Sequence, residues 1–273
     1  MDALTPSAIR NSLRTRVLGC DIVYYEAVGS TNAMAKALAL QGAQDGTLVI
    51  ANVQTEGRGR LDRRWIAERG TSLLLSLILR PTLPTNLAQT VTMIAGLGIR
   101  DGIGSWPGLP VGLKWPNDVM VRGNKVGGIL TEVSTSGKHL DYAIVGIGLN
   151  VNLDPATFPA EFRATSIQHE LGHSVSRLRL LQTILWHVER RYARLCEGHL
   201  PTADWAAALE TLGQQVCVQT SQGRWQGLAS AVDDEGALLV SLADGHVRRV
   251  LVGDIVSPKR EAPAARRSAG FHG

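Results

Sequence analysis

The chain has 273 residues, enough for about two folding units with a sizeable core, so neither a disulfide framework nor a metal staple is needed. Charged residues make up 19% and hydrophobic ones 44%, which excludes a largely disordered chain, and 29 glycines point to backbone-built sites or many turns. The net charge of +4 invites a nucleic-acid reading, but Lys259, Arg260, Arg266 and Arg267 against Glu261 put +3 of it in residues 259–273, leaving 24 basic and 23 acidic side chains before them.

In chain order, Thr5-Pro6 predicts a capped short helix within an N-terminal extension, residues 1–21. That is too short for a winged helix-turn-helix, and its lack of a basic and then apolar run predicts no signal peptide. A strand is expected over 22–26, a small-residue helix over 31–41 ended by Gly42, and buried strands over 47–54 and 72–80 around a Gly/Arg-rich loop. The apolar run 72–79 is the longest and far short of the roughly 20 residues of a membrane span. A helix is expected over 86–103, then strands over 112–115, 119–121, 125–134 and 142–151, and a loop with Pro155 and Pro159. Ser176 caps an amphipathic helix whose Leu178, Leu181, Leu185, Val188, Tyr192 and Leu195 recur every three or four residues. A shorter helix is expected over 203–212. From Gln215, short alternating strands with turns at Gln222-Gly223, Glu235-Gly236 and Asp244-Gly245 predict a small β-barrel over 214–258, followed by a disordered basic tail over 259–273. Cys20, Cys196 and Cys217, odd in number and without a CxxC pair, read as reduced thiols of a cytoplasmic protein.

Four stretches could carry chemistry. In Gln54-Thr-Glu-Gly-Arg-Gly-Arg60-Leu-Asp-Arg-Arg-Trp65, Gly57 and Gly59 free the backbone, and Arg58, Arg60, Arg63 and Arg64 match phosphate or carboxylate oxygens. By itself the loop is equally a solvated basic loop or a nucleic-acid contact, although Glu56, Asp62 and Glu68 weigh against the latter. Lys114-Trp-Pro-Asn-Asp118 is a stiff turn that presents Asn117 and Asp118, followed by Lys125-Val-Gly-Gly-Ile-Leu-Thr-Glu132; alone it is a hairpin with a solvated lysine. Val145-Gly-Ile-Gly-Leu-Asn150-Val-Asn152 is not GxGxxG and no helix follows it, so a Rossmann site is a poor fit, and no Walker A sequence is present. His169-Glu-Leu-Gly-His173 matches HExxH, but Gly172 interrupts it and it lies in the turn ahead of the helix at Ser176, which argues against a zinc protease.

Taken in order, Gly29-Ser-Thr-Asn32, Gln54-Thr-Glu-Gly-Arg-Gly-Arg60, Lys114-Trp-Pro-Asn-Asp118, Lys125-Val-Gly-Gly-Ile-Leu and Gly146-Ile-Gly-Leu-Asn150 resemble biotin–protein ligase (biotin–[acetyl-CoA-carboxylase] ligase) from about residue 22 to 257. The short N-terminal extension resembles its monofunctional class, without a DNA-binding domain. The resemblance implies an α+β fold: a mixed sheet with packed helices, like class II aminoacyl-tRNA synthetases and the biotin–lipoate ligase catalytic core, over residues 22–213, plus a small C-terminal SH3-like β-barrel. It implies ATP, Mg²⁺ and biotin as ligands, formation of biotinyl-5′-AMP, and transfer of biotin to a lysine of a biotin carboxyl carrier protein. It further implies no DNA or membrane partner, and a monomer or ligand-dependent homodimer.

By the same resemblance Arg60 and Lys125 are the catalytic pair, acting electrostatically near the carboxylate and the α-phosphate. Ser30, Thr31, Asn32 and Gln54 meet the biotin ring, and Gly57, Arg58 and Gly59 border it. Gly128, Leu130, Gly146 and Gly148 flank its tail. Arg58, Arg60, Arg63, Trp65, Asn117, Lys125 and Asn150 meet ATP, and Asp118 orients Lys125, a metal or the incoming amine. Loops 55–65 and 153–165 are expected to order over the adenylate. Leu61-Asp62 stand where many members have Arg-Gly, which makes this loop less flexible and less basic. The rival readings are a lipoate–protein ligase and a non-catalytic binding module for biotin or nucleic acid.

Overall fold

The structure is a computed structural model and describes residues 4–61, 63–157 and 163–256. Asp62, Pro159 and the expected tail lie outside those residues.

A seven-stranded mixed sheet forms the larger layer. β1 (Ile22–Tyr25) and β2 (Leu48–Ala51) pair in parallel, because α2 (Thr31–Leu40) crosses between them. Beyond β2 every neighbour is antiparallel: β3 (Ser72–Leu79), β7 (His139–Asn150), β6 (Asn124–Ser136), β5 (Asp118–Val121) and β4 (Val111–Lys114). β3 is buried along its whole length, as its unbroken apolar run requires when both faces of a sheet are covered. α2 covers one face, packing Ala35 and Ala39 on Val49, Ile78 and Ile144. α3 (Gln89–Gly104) and α5 (Arg177–Cys196) cover the other.

α3 and α5 approach closely because α3 carries glycines at the contact. A Cβ on Gly98 would stand 2.5 Å from Val188 Cγ2 and 2.8 Å from its backbone, and Gly102 meets Ile184 in the same way. Gly98→Ala is therefore expected to destabilise the fold by about 1–3 kcal/mol through overpacking. A drop in the midpoint of denaturant unfolding checks this; an unchanged midpoint would show that the helices can part freely. Next to Val188 on α5, the Glu189 carboxylate accepts the backbone N–H groups of Arg16, Val17 and Leu18, each at 2.8 Å, and so pins the N-terminal extension that begins with α1 (Pro6–Ser12).

β8 (Gln215–Thr220), β9 (Gly223–Val232), β10 (Leu238–Leu242), β11 (Val247–Val250) and β12 (Asp254–Val256) form a second, antiparallel sheet in the order β11-β10-β9-β8-β12. Its turn glycines take the left-handed backbone that hairpin turns need, Gly236 at φ 82° and Gly245 at φ 85°. Val218, Ala229, Leu238 and Val240 merge with the main core. Trp115, buried after β4, donates its Nε1–H to Gly236 O at 3.0 Å, so the two sheets share an anchor. Among the described residues no helix is long and apolar enough to cross a membrane.

Local boundaries differ from expectation where tertiary pairing intervenes. The helix expected over 203–212 is α6 (Thr202–Ala208), because Leu209 bridges to Leu113 and Glu210 N–H donates to Leu113 O on β4. The helix expected over 86–103 starts as a 3-10 turn, Thr85–Leu87, and becomes α-helical only from Gln89. The strand expected over 47–54 leaves the regular ladder at Ala51, although Gln54 still bridges Val28.

Candidate active site

One cavity of about 590 Å³ opens across β6 and β7, within the range of small-molecule sites. Of the residues that the resemblance gives a role at the site, all but Gly57 line it; Gly57 borders a smaller groove beside the arginine loop. Lys114, Ile129, Ala164, Asp254 and Ile255 also line it, although the resemblance gives none of them a role there.

The polar end is built at the start of α2. Ser30 is the N-cap residue but makes no side-chain cap bond. Gln54 Oε1 accepts from Thr31 N–H at 2.7 Å and lies 3.1 Å from Thr31 Oγ1, which fixes the amide so that its Nε2–H₂ faces away from Thr31. Behind them, fully buried Ser76 bridges Thr31 Oγ1 and Asn32 Oδ1. Asn32 Nδ2 donates to Glu132 Oε2 at 2.7 Å and to Leu130 O at 3.2 Å.

The two glycines of β7 make room for protein side chains. A Cβ on Gly146 would overlap the Asn32 amide, and one on Gly148 would stand 2.5 Å from the indole of Trp65. Trp65 thus lies on the strand backbone, with Lys125 Nζ 5.9 Å from its ring centroid and its own Nε1 buried without a partner among the described residues. Asn150 donates Nδ2–H to Thr165 O at 3.1 Å, while its buried Oδ1 is also unpartnered among the described residues. Asn117 is tied to β6 by Nδ2–H donation to Ile129 O at 2.6 Å.

Lys125 owes its place to a β-bulge. Asp118 opposes Gly128 and Val119 opposes Gly127, but Met120 opposes Lys125, so Val126 is an extra residue. In an unbroken ladder Lys125 would face the other side of the sheet. The bulge brings it to the face of Asp118, whose Oδ1 lies 2.6 Å from Nζ. Of the roles left open for Asp118, orienting Lys125 is the one its contacts provide.

The loop at 57–65 folds back on itself. Gly59 N–H donates to Arg63 O at 2.6 Å, Trp65 N–H donates to Gly57 O at 2.9 Å, and Leu61 takes a left-handed φ of 51° at the tip. It is fastened to the second sheet by Asp254. Arg60 Nε lies 3.4 Å from Asp254 Oδ1, Arg60 donates to Gly253 O at 3.0 Å, and Arg63 Nη2 is 2.8 Å from Asp254 Oδ2. The last contact is ionic without hydrogen-bond alignment, since Oδ2 has no hydrogen-bond partner among the described residues.

The HExxH stretch is a structural corner. Its first three residues end a five-residue helix, α4 (Ile167–Leu171), where a turn is expected throughout; Gly172 ends α4 at φ 77°, so Gly172 and His173 lie in the turn beyond it. Partial burial opposes ionisation of Glu170, but hydrogen bonds from Thr165 and Arg122, with the Arg122 charge, hold its carboxyl below the usual range.

Comparison with known proteins decides the family. Residues 24–150 match the Biotin/lipoate A/B protein ligase family, and residues 211–256 match the Biotin protein ligase C terminal domain. The chain is 36% identical to the bifunctional ligase/repressor BirA of Bacillus subtilis over 92% of its own length and 78% of that protein's. It is 34% identical to biotin–[acetyl-CoA-carboxylase] ligase of Mycobacterium tuberculosis, over 93% and 97%. The chain belongs to the biotin–protein ligase family. Biotin protein ligase from Aquifex aeolicus, solved in complex with biotin and ATP, superimposes with a TM-score of 0.73 at 27% identity, covering 87% of this chain and 98% of that one. The mixed sheet with a C-terminal antiparallel sheet is thus the biotin–protein ligase fold, as the motifs implied.

Proposed function

We propose that this chain joins biotin to ATP as biotinyl-5′-AMP and then transfers biotin to a lysine of a biotin carboxyl carrier protein. The observation that carries the reading is one cavity with a neutral amide-and-hydroxyl end at Thr31 and Gln54 and a cationic wall of Arg58, Arg60 and Lys125. A biotin molecule has that polarity, with a neutral urea at one end and a carboxylate at the other. Gln54 Nε2–H₂ would donate to the urea oxygen, and Thr31 and Ser30 would meet its N–H groups at no charge-desolvation cost. A lipoyl dithiolane offers these groups no donor or acceptor and would leave them buried and unpaired.

In the first step a carboxylate oxygen of biotin attacks the α-phosphorus of ATP, and the bond to pyrophosphate breaks. Both reactants are anions, so their repulsion must be cancelled before they can align. Lys125 and Arg60 supply fixed positive charge that strengthens as charge builds on the phosphoryl oxygens. Lys125, ion-paired to Asp118, acts as a donor and not as a nucleophile. Trp65 and the unpartnered Oδ1 of Asn150 suit adenine, the oxygen accepting from its exocyclic amine. In the second step the carrier's lysine amine attacks the carbonyl carbon of the mixed anhydride and AMP leaves. The folded loop at 57–65 keeps water from that anhydride.

Mg²⁺ is implied by the chemistry of ATP, but the described residues offer it no cage. No group of three or more His, Cys, Asp or Glu gathers among the described residues, and the cavity's carboxylates, Asp118 and Asp254, are each ion-paired. Mg²⁺ would therefore arrive on the phosphates and keep most of its waters.

Asp254 supports Arg60 from the second sheet, so Asp254→Ala is expected to raise the KM for ATP on the order of tenfold, the worth of a charge-assisted contact. Steady-state kinetics checks it, and an unchanged KM would mean that Arg60 needs no support. For the whole reaction, incubation with ATP, biotin and a biotin carboxyl carrier domain should add one biotinyl group to one lysine, read by intact mass. A carrier of unchanged mass while biotinyl-AMP accumulates would contradict the assigned acceptor.

A further inference from the structure

Glu132 lies outside the cavity, yet its carboxylate is the end point of a chain of hydrogen bonds that reaches into it. The direction of that chain follows from what each group can give. Leu130 O can only accept, and it shares one side of the Asn32 amide with Glu132 Oε2, so that side must be the NH₂. Asn32 Oδ1 therefore points at Ser76 and can only accept, so the single hydroxyl proton of Ser76, 2.7 Å away, goes to it. Ser76 then has only lone pairs for Thr31 Oγ1 at 2.8 Å. The Thr31 proton goes inward, to Ser76 or to Gln54 Oε1, and only lone pairs of Thr31 remain for a ligand.

We propose that Glu132 is a positioning residue for ligand specificity, setting the polarity of the Thr31–Ser76–Asn32 chain so that Thr31 accepts an N–H from a cyclic urea. This rests on the biotin reading above and deepens it. Asn32 and Ser76 are buried and fully engaged, which keeps the chain in one orientation; Gly146 leaves the space in which Asn32 lies. The position opposite a ligand N–H is thus filled by an acceptor fixed from behind, through Asn32 and Ser76, by a side chain that never touches the ligand.

The test is biotin-dependent ATP–pyrophosphate exchange on the full chain. Glu132→Ala is expected to raise the KM for biotin about tenfold, while kcat and the KM for ATP stay within about twofold. Glu132→Gln, which keeps an acceptor in place, should restore most of the loss. Thr31→Val removes the hydroxyl through which Glu132 acts, so adding Glu132→Ala to it should change the biotin KM by less than about twofold. If Glu132→Ala does not fold, Ser76→Ala cuts the chain at its middle and should give the same selective rise. An unchanged biotin KM in the single variant, or fully multiplicative effects in the double, overturns the inference. Those results leave a biotin-active wild type standing, whereas a wild type without biotin-dependent exchange removes the proposed function and this inference together.

Discussion

Lys125→Ala should lower biotin-dependent ATP–pyrophosphate exchange by about 10²- to 10³-fold, the scale of losing a preorganised electrostatic group. Two effects add. The ammonium that balances the carboxylate and phosphate is gone, and Asp118, 2.6 Å from it in the wild type, is left as a bare carboxylate facing two incoming anions. Lys125→Ala combined with Asp118→Ala should therefore recover part of the loss. The side chain of Lys125 is about a third exposed, so the fold should survive, with a thermal midpoint close to wild type. Exchange within a few-fold of wild type in the single variant would remove Lys125 from the mechanism.

Arg60→Ala should reduce exchange by about 10²-fold, less than Lys125→Ala, for a reason visible in its surroundings. Its partner Asp254 keeps Arg63 at 2.8 Å, so no carboxylate is orphaned and the loss is confined to the missing guanidinium. The loop at 57–65 also loses one of its fastenings to the second sheet. Biotinyl-AMP that does form should escape, appearing in the filtrate after rapid ultrafiltration. Normal exchange with full retention of the adenylate would contradict both roles.

What could be read from the sequence were features whose chemistry sits in short local strings. The Gly/Arg loop, the Lys114–Asp118 turn and the glycines of β6 and β7 converge on one cavity. What could not be read depends on partners far apart in the chain. Asp254 follows a glycine in a three-residue strand, and nothing nearby announces that it meets Arg60, 194 residues earlier. Glu132 reads as one polar residue on a strand, because its partner Asn32 is 100 residues away. The bulge at Val126, which turns Lys125 to the cavity, is a matter of register and leaves no composition signal beyond the adjacent glycines. Gly148 shows the same limit, since its glycine marks a close approach but not that the approaching group is the indole of Trp65.

In the proposed function, the neutral end of the cavity selects a urea and its cationic wall joins a carboxylate to AMP. ATP–pyrophosphate exchange with biotin and with lipoate, run in parallel on the purified full chain, tests it most directly. Exchange is expected to depend on biotin, with lipoate near background. Exchange supported by lipoate and not by biotin would contradict it.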